Sequence, residues 1–580
     1  MLSRRRIWLD SALALAAILP VIGGCTGNKM DGFSNEDWDR ISAIAPMSTK
    51  MPDNPFDTKG SDEAMARFGQ RLFFDKRGAE AITADGPSGK GPYTPIDPAT
   101  GKPAVDATTG KAIVIPGEVG KVSCATCHGS QYLVDARMQY SFSHGRSWLT
   151  HNTPTMANLG YFSRVLWTGQ FDSLREHGAG AMGGNSTTLA QIHFIRTYHI
   201  DEYNSLFPDS PLDAAAIDDT TRFPLTGNAK AATTVNGKSV MSADGVLEKM
   251  TKDDQWAIYR FKGNMGIVFE AHPRMLTTPN SPFEKYVRDQ DSTALSESAK
   301  NGLRLFIGKA SCIDCHNGPA LTDNQFHNIG VPTPTEFPPG SGTVPAQDRG
   351  RGGALLTSLN NQLMRLRTND LIGTTAGFTA QDVVPIFGGA GQYSDDPVRG
   401  GQTVQDLENA SCIQRSTDVM DITNSCQALF YPGAPGDDTK TPPVAAKPAD
   451  ARLALCISAN TDTGVCLKYD ASYEGSFRTP MLLSVANTQP YFHTGGAATL
   501  RDVVNHYNKG GGPDGSYAGT KSVRLRPLGL TDNEVGDLVA FLESLTGDAP
   551  DPNWMCDRAL PRAAAGVPSV TNGACAAEIP

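Results

Sequence analysis

The chain has 580 residues, more than one ordinary domain holds, and its 39% apolar content suffices for a sizeable core. A formal net charge of −10 argues against a nucleic-acid partner, while 19% charged residues is ordinary for a soluble protein. With 59 Gly and 39 Pro, loops are expected to be long and numerous.

Residues 1–25 read as an export signal. Arg4, Arg5 and Arg6 form a basic start, and the apolar run from Ile7 to Ile22 is interrupted by Asp10 and Pro20. That run is short for a membrane span. It ends Ile22-Gly23-Gly24-Cys25, which resembles a lipoprotein box whose cysteine is acylated. The expectation is a periplasmic or cell-envelope protein anchored by lipid at Cys25; the alternative is cleavage near Gly24 with a free Cys25. Residues 26–60 are polar and predict a tether with little regular structure. Residues 61–74 predict a helix, with Met65, Phe68 and Leu72 at helical spacing. Residues 82–121 are rich in Gly, Pro and Thr and predict a loop or small hairpin inserted ahead of CATCH at 124–128.

Further along, 189–207 and 252–271 predict helices, separated by an insertion at 208–247. Residues 294–307 predict a helix leading into CIDCH at 312–316. A loop is expected at 331–353, and 354–475 has no clear periodicity. Leu530–Leu545 predicts a helix opened by a Thr531/Glu534 capping box, with Val535, Leu538, Val539 and Leu542 on one face. Residues 548–580 form a Pro/Ala-rich tail. No strand-rich segment stands out, so the fold class is mainly α.

CATCH and CIDCH are two copies of Cys-x-x-Cys-His, the attachment site of a c-type haem. Two thiols take the porphyrin vinyl groups as thioethers, and the histidine supplies the proximal nitrogen. With 11 Cys and 11 His in the chain, one copy is expected roughly 0.004 times by chance. A zinc knuckle or a redox dithiol is the alternative, but neither needs the adjacent histidine in both copies. The expected cofactors are two covalent haems c, on Cys124, Cys127 and His128 and on Cys312, Cys315 and His316. Six cysteines remain besides these four and Cys25: Cys412, Cys426, Cys456, Cys466, Cys556 and Cys575. An even number in an exported chain predicts three disulfides. Short separations favour Cys412–Cys426, Cys456–Cys466 and Cys556–Cys575, with crossed pairing of the middle four also open.

Ordered blocks around these motifs resemble the bacterial di-haem cytochrome c peroxidase/MauG family. They are RLFFD at 71–75, CATCH, NTPTMAN at 152–158, LW at 166–167, DSL at 172–174, TPNSPFEKY at 278–286, GLRLF at 302–306, CIDCHNGPALTDNQFHNIG at 312–330, FRTPMLLSVANTQPYFHTGG at 477–496 and TLRDVVNHYNKGG behind it. The resemblance implies two cytochrome-c-like helical domains, one haem in each. An N-terminal domain at 61–290 would carry the peroxidatic haem, and a C-terminal domain at 291–547 would contain the 354–475 insertion. The insertions make this an enlarged member.

The same resemblance implies roles for single residues. His144 is a candidate distal ligand of the N-terminal haem. Trp167 is a candidate electron relay between the haems. Asn158, Thr488 and Pro490 match the family's calcium ligands. Tyr507 falls where peroxidases of the family carry a methionine ligand and MauG-type members a tyrosine; the neighbouring His506 is the alternative. Met/His ligation raises the iron potential, whereas an anionic phenolate favours ferric iron. Two departures bear on activity. The family's W-D-G-R is here Trp167-Thr168-Gly169-Gln170, and His177 and Thr187 stand at its distal Gln and Glu. Peroxide cleavage needs a group that moves a proton between the two oxygens. His177 is the candidate, with Glu176 nearby.

Four functions compete. The first is reduction of hydrogen peroxide with electrons from a small c-type cytochrome or cupredoxin. The second is MauG-like oxidation of another protein's side chains. The third is a dioxygen-using, haem-dependent oxygenase, as in the long rubber oxygenases. The fourth is a pure electron-transfer cytochrome with both irons capped. A homodimer is a further expectation.

Overall fold

The structure, a computed structural model, describes residues 30–45, 62–129, 132–135, 145–162, 165–169, 171, 174–181, 185–227, 232–235, 238–241, 245–354, 459–460, 465–466 and 473–557. The described part is mainly helical, with three two-stranded sheets.

The first helix, α1 (Asn35–Ala43), corrects the expectation of an irregular tether at 26–60. Ser34 and Asp37 close a capping box, and Ile41 and Ile44 are fully buried. Short amphipathic helices form when tertiary packing covers their apolar face, and this one packs against the C-terminal core.

Around the N-terminal core run α2 (Glu63–Phe74), the turn α3 (Cys124–Cys127), α4 (Leu174–Ala181), α5 (Asn185–Tyr198), α6 (Ile200–Leu206) and α7 (Ala214–Asp218). A hairpin of β1 (Ala232–Val235) and β2 (Lys238–Met241) follows, then α8 (Val246–Lys249) and the long α9 (Lys252–Arg274). Asp62 and Thr251 cap α2 and α9 by accepting from Met65 N–H and Asp254 N–H. The single helix expected at 189–207 is two, broken at His199. Its ring Nε2 lies 3.1 Å from Asp75 Oδ2, tying the break to the end of α2.

The C-terminal core is built from α10 (Pro282–Arg288), α11 (Glu297–Ile307), α12 (Leu500–Asn508) and α13 (Asp532–Glu543). Phe283 and Tyr286 on α10, in a segment expected in the first domain, are fully buried in this second core. The expected Thr531/Glu534 capping box is present. Strand β3 (Phe326–His327) pairs antiparallel with a strand at Phe477–Arg478, with Phe326 opposite Arg478. Between them in sequence lie β4 (Ala459–Asn460) and β5 (Val465–Cys466); the Phe477–Arg478 strand is therefore β6.

The two cores repeat one device. Gly69-Gln70-Arg71-Leu72-Phe73 on α2 and Gly302-Leu303-Arg304-Leu305-Phe306 on α11 each precede a Cys-x-x-Cys-His turn. A Cβ at Gly69 would stand 2.4 Å from the Val268 carbonyl oxygen of α9, and one at Gly302 would stand 2.0 Å from that of Asp537 on α13. Only glycine permits these close helix crossings. Beside the second crossing, Phe306 and Phe541 are buried with ring centroids 5.0 Å apart. Burying each such side chain stabilises the fold by about 1.5–3 kcal/mol.

The start of the tail returns to the first core. Trp554 and Met555 join it, and the Arg67 guanidinium lies 3.5 Å from the Trp554 ring centroid. The Gln70 amide donates to the carbonyls of Asn553 (2.7 Å) and Cys556 (2.9 Å). Cys556 is disulfide-bonded. Cys25, Cys412, Cys426, Cys456 and Cys575 lie outside the described residues, as does nearly all of 354–475.

Candidate redox site

Both Cys-x-x-Cys-His turns fold alike. His128 N–H donates to the Cys124 carbonyl and His316 N–H to that of Cys312, each at 2.9 Å. His128 Nδ1 lies 2.9 Å from the Leu133 carbonyl oxygen, and His316 Nδ1 lies 2.9 Å from that of Leu321. Both leucines sit in the left-handed region, φ 61° and 51°. A carbonyl on Nδ1 fixes the tautomer and leaves Nε2 for a metal. Burial pulls both imidazoles below the usual histidine range. Among the described residues Cys124, Cys127, Cys312 and Cys315 are outside any disulfide. The donor set fits two haems.

His316, Cys312 and Cys315 open on a mostly apolar cavity of about 250 Å³ that Trp167, Arg478, Met481 and Tyr507 also line. Tyr507 projects from α12; its hydroxyl has no hydrogen-bond partner among the described residues. Burial, with the Cys312 and Cys315 thiols beside it, raises its pKa. The alternative, His506, has its Nε2 at 2.8 Å from the Ile329 carbonyl oxygen and is engaged there.

Trp167 is held firmly. Its Nε1–H donates to the Asn152 carbonyl (2.8 Å), and its own carbonyl accepts from Arg478 N–H (2.8 Å). Its ring lies 6.4 Å from that of buried His493, which stacks on Phe477 at 3.5 Å. Burial lowers the His493 pKa to about 3. One sequence gives no sign that the His493 ring, inside the 477–496 block, meets Trp167.

Of the calcium set expected from Asn158, Thr488 and Pro490, Asn158 stands apart from the other two. Asn158 spends its side chain on Thr278: Oδ1 accepts from Thr278 N–H (3.1 Å) and Nδ2 donates to the hydroxyl (2.7 Å). Asn152, at the start of the same NTPTMAN block, brings its amide to 2.7 Å from the Pro490 carbonyl oxygen, and its buried Oδ1 has no partner. Both Thr488 and Pro490 line the cavity with Asn152. An orphaned amide oxygen beside a carbonyl suits a hard cation.

At the N-terminal turn, His177 on α4 senses the charge of His128 and packs its ring 5.3 Å from that of Phe171. Burial, then His128, lowers its pKa to about 4, so it is neutral at pH 7. Thr187 lies on α5. His144 and the side chains of Glu176 and Thr187 lie outside the described residues. Elsewhere His327, pulled down by burial but held up by Asp323 at 2.7 Å and by Cys315, reaches about 9.

Residues 117–292 match the family profile described as di-haem cytochrome c peroxidase. The chain is 23% identical over 440 residues to the cytochrome-c peroxidase IdrP1 of Denitromonas iodatirespirans, covering 74% of this chain and 78% of that protein. It is 26% identical over 252 residues to the cytochrome c551 peroxidase of Nitrosomonas europaea, 42% of this chain and 61% of the relative. It is also 26% identical over 243 residues to the methylamine utilization protein MauG of Methylophilus methylotrophus, 39% of this chain and 56% of the relative. With its duplicated turns and paired histidines, the chain is similar to the di-haem cytochrome c peroxidases and to MauG, and residues 117–292 carry that family's profile.

Proposed function

We propose that this chain is a cell-envelope di-haem c-type oxidoreductase that reduces hydrogen peroxide to water with electrons from a small c-type cytochrome or cupredoxin. The observation that carries the reading is the duplicated turn in which His128 and His316 each keep Nδ1 on a leucine carbonyl. Thioethers from Cys124 and Cys127, and from Cys312 and Cys315, would hold the two haems, which supply the one-electron chemistry. The net reaction takes two electrons and two protons per peroxide and yields two waters.

His177 handles the proton in this reading. Being neutral, it can take a proton from the near peroxide oxygen and return it to the far one. His144 is assigned as the resting cap of the N-terminal iron. Tyr507 would join His316 in holding the second haem, and Trp167 would relay electrons between the haems. A calcium ion held by the Asn152 side chain and the carbonyls of Thr488 and Pro490 would fix the loop between the domains. Lipidation at Cys25 would anchor the chain. Among the described residues no helix is long and apolar enough to cross a membrane.

Tyr507 also favours a second reading, MauG-like oxidation of protein side chains. A Tyr507 phenolate on the second haem would lower its potential and make it a poor electron reservoir. Both readings need one open iron position, unlike a pure carrier. Cyanide or carbon monoxide added to purified protein should shift the haem spectrum; no shift in any oxidation state would mean both irons are capped and the chain only carries electrons.

A further inference from the structure

We propose that Arg478 binds a carboxylate in the C-terminal cavity, and that this carboxylate is a propionate of the haem attached at Cys312 and Cys315. The proposal rests on the reading of CIDCH as a haem site. Arg478 is only 4% exposed, yet no carboxylate among the described residues pairs with it. Its Nε donates to the Leu166 carbonyl (3.1 Å), and Nη1 reaches the Thr479 carbonyl at 3.5 Å. Nη2 has no partner among the described residues. One guanidinium face lies 3.4 Å from the Phe162 ring centroid. Burial alone pulls its pKa down to about 9, with no anion opposing the shift.

A buried charge without a counter-ion is strongly disfavoured. The buried Arg175 shows the usual solution, with its Nε 3.3 Å from Glu270. Arg524 and Arg526 also line the cavity but are exposed, so water solvates them. Among the described residues Arg478 alone presents a desolvated fork to the space where Cys312, Cys315, His316 and Tyr507 converge. A haem fixed there brings two carboxylates, and the planar guanidinium matches a carboxylate through two parallel hydrogen bonds. The β3–β6 pairing and the bond to Leu166 hold the fork in place.

The test uses full-length holoprotein, as wild type, Arg478→Gln and Arg478→Lys. Haem content is measured first, by pyridine haemochrome, and the C-terminal haem is then titrated potentiometrically. Removing a cation disfavours the more negative ferrous state. In R478Q the ferrous-to-ferric ratio at a fixed applied potential should fall about tenfold, 59 mV for a one-electron couple. R478K, which keeps the charge but not the fork, should fall less. A fully loaded R478Q within twofold of wild type overturns the assignment. Should R478Q not fold, infrared spectra of wild type carrying ¹³C-carboxylate propionates decide. One propionate is expected to stay ionised to below about pH 4, the ordinary carboxylate range; joint protonation of both within that range overturns the pairing. A wild-type potential that follows chloride or acetate concentration would assign the site to a free anion and overturn the propionate. Wild type with one haem per chain overturns the parent reading, and this one with it.

Discussion

The Asn152 side-chain amide lies 2.7 Å from the carbonyl oxygen of Pro490, across 338 residues of chain. The amide's other end is buried without a partner. Turning the amide over would face two oxygens towards one another, an arrangement a divalent cation stabilises. Asn152→Ala should therefore lose calcium by atomic analysis of never-chelated protein. Asn158→Ala should keep it and lose about 1–3 kcal/mol of stability, because Thr278 would be left with unmet hydrogen bonds. The opposite pattern returns the metal to Asn158.

In the proposed reading Tyr507 would set the character of the second haem. Tyr507→Phe should raise its potential and change its magnetic spectrum, since a phenolate stabilises ferric iron. A histidine–methionine-like spectrum unaffected by the substitution removes Tyr507 from the iron.

His177 is the only described side chain assigned to proton transfer. His177→Ala should slow the reaction with peroxide by about 10²–10⁴-fold, the usual loss for a general acid–base group. An unchanged stopped-flow rate shifts the role to Glu176 or to an oxygenase mechanism.

His272 is a pH-sensitive support for the returning tail. Its ring lies 2.9 Å from the Trp554 carbonyl oxygen, and burial lowers its pKa to about 4. Because the folded value is below the unfolded one, its contribution is complete above about pH 6.5 and is lost as pH falls towards 4, by at most about 3 kcal/mol. Urea unfolding at pH 7.5 and pH 5 should show this slope in wild type and a flatter one in His272→Gln. Equal slopes would mean that other groups govern acid stability.

The helices were legible because apolar spacing and capping boxes are local, as at α2, α11 and α13. The turns at Cys124 and Cys312 were legible because the chemistry needs five consecutive residues. Asn152 and Arg478 lie in the 152–158 and 477–496 blocks, yet their partners lie hundreds of residues away, so only the fold reveals them. The same holds for Asn158, whose partner Thr278 comes 120 residues later. The helix at Asn35–Ala43 was missed because its stability comes from packing against the distant C-terminal core. His144 could not be located, since it lies outside the described residues.

The most direct test of the central claim is the stoichiometry of donor oxidation. Purified holoprotein is mixed with a pre-reduced small c-type cytochrome and a limiting amount of hydrogen peroxide. The account predicts catalytic turnover with two donor molecules oxidised per peroxide. A two-haem preparation that consumes no peroxide, or oxidises no more donor than its own two haems accept, would contradict it.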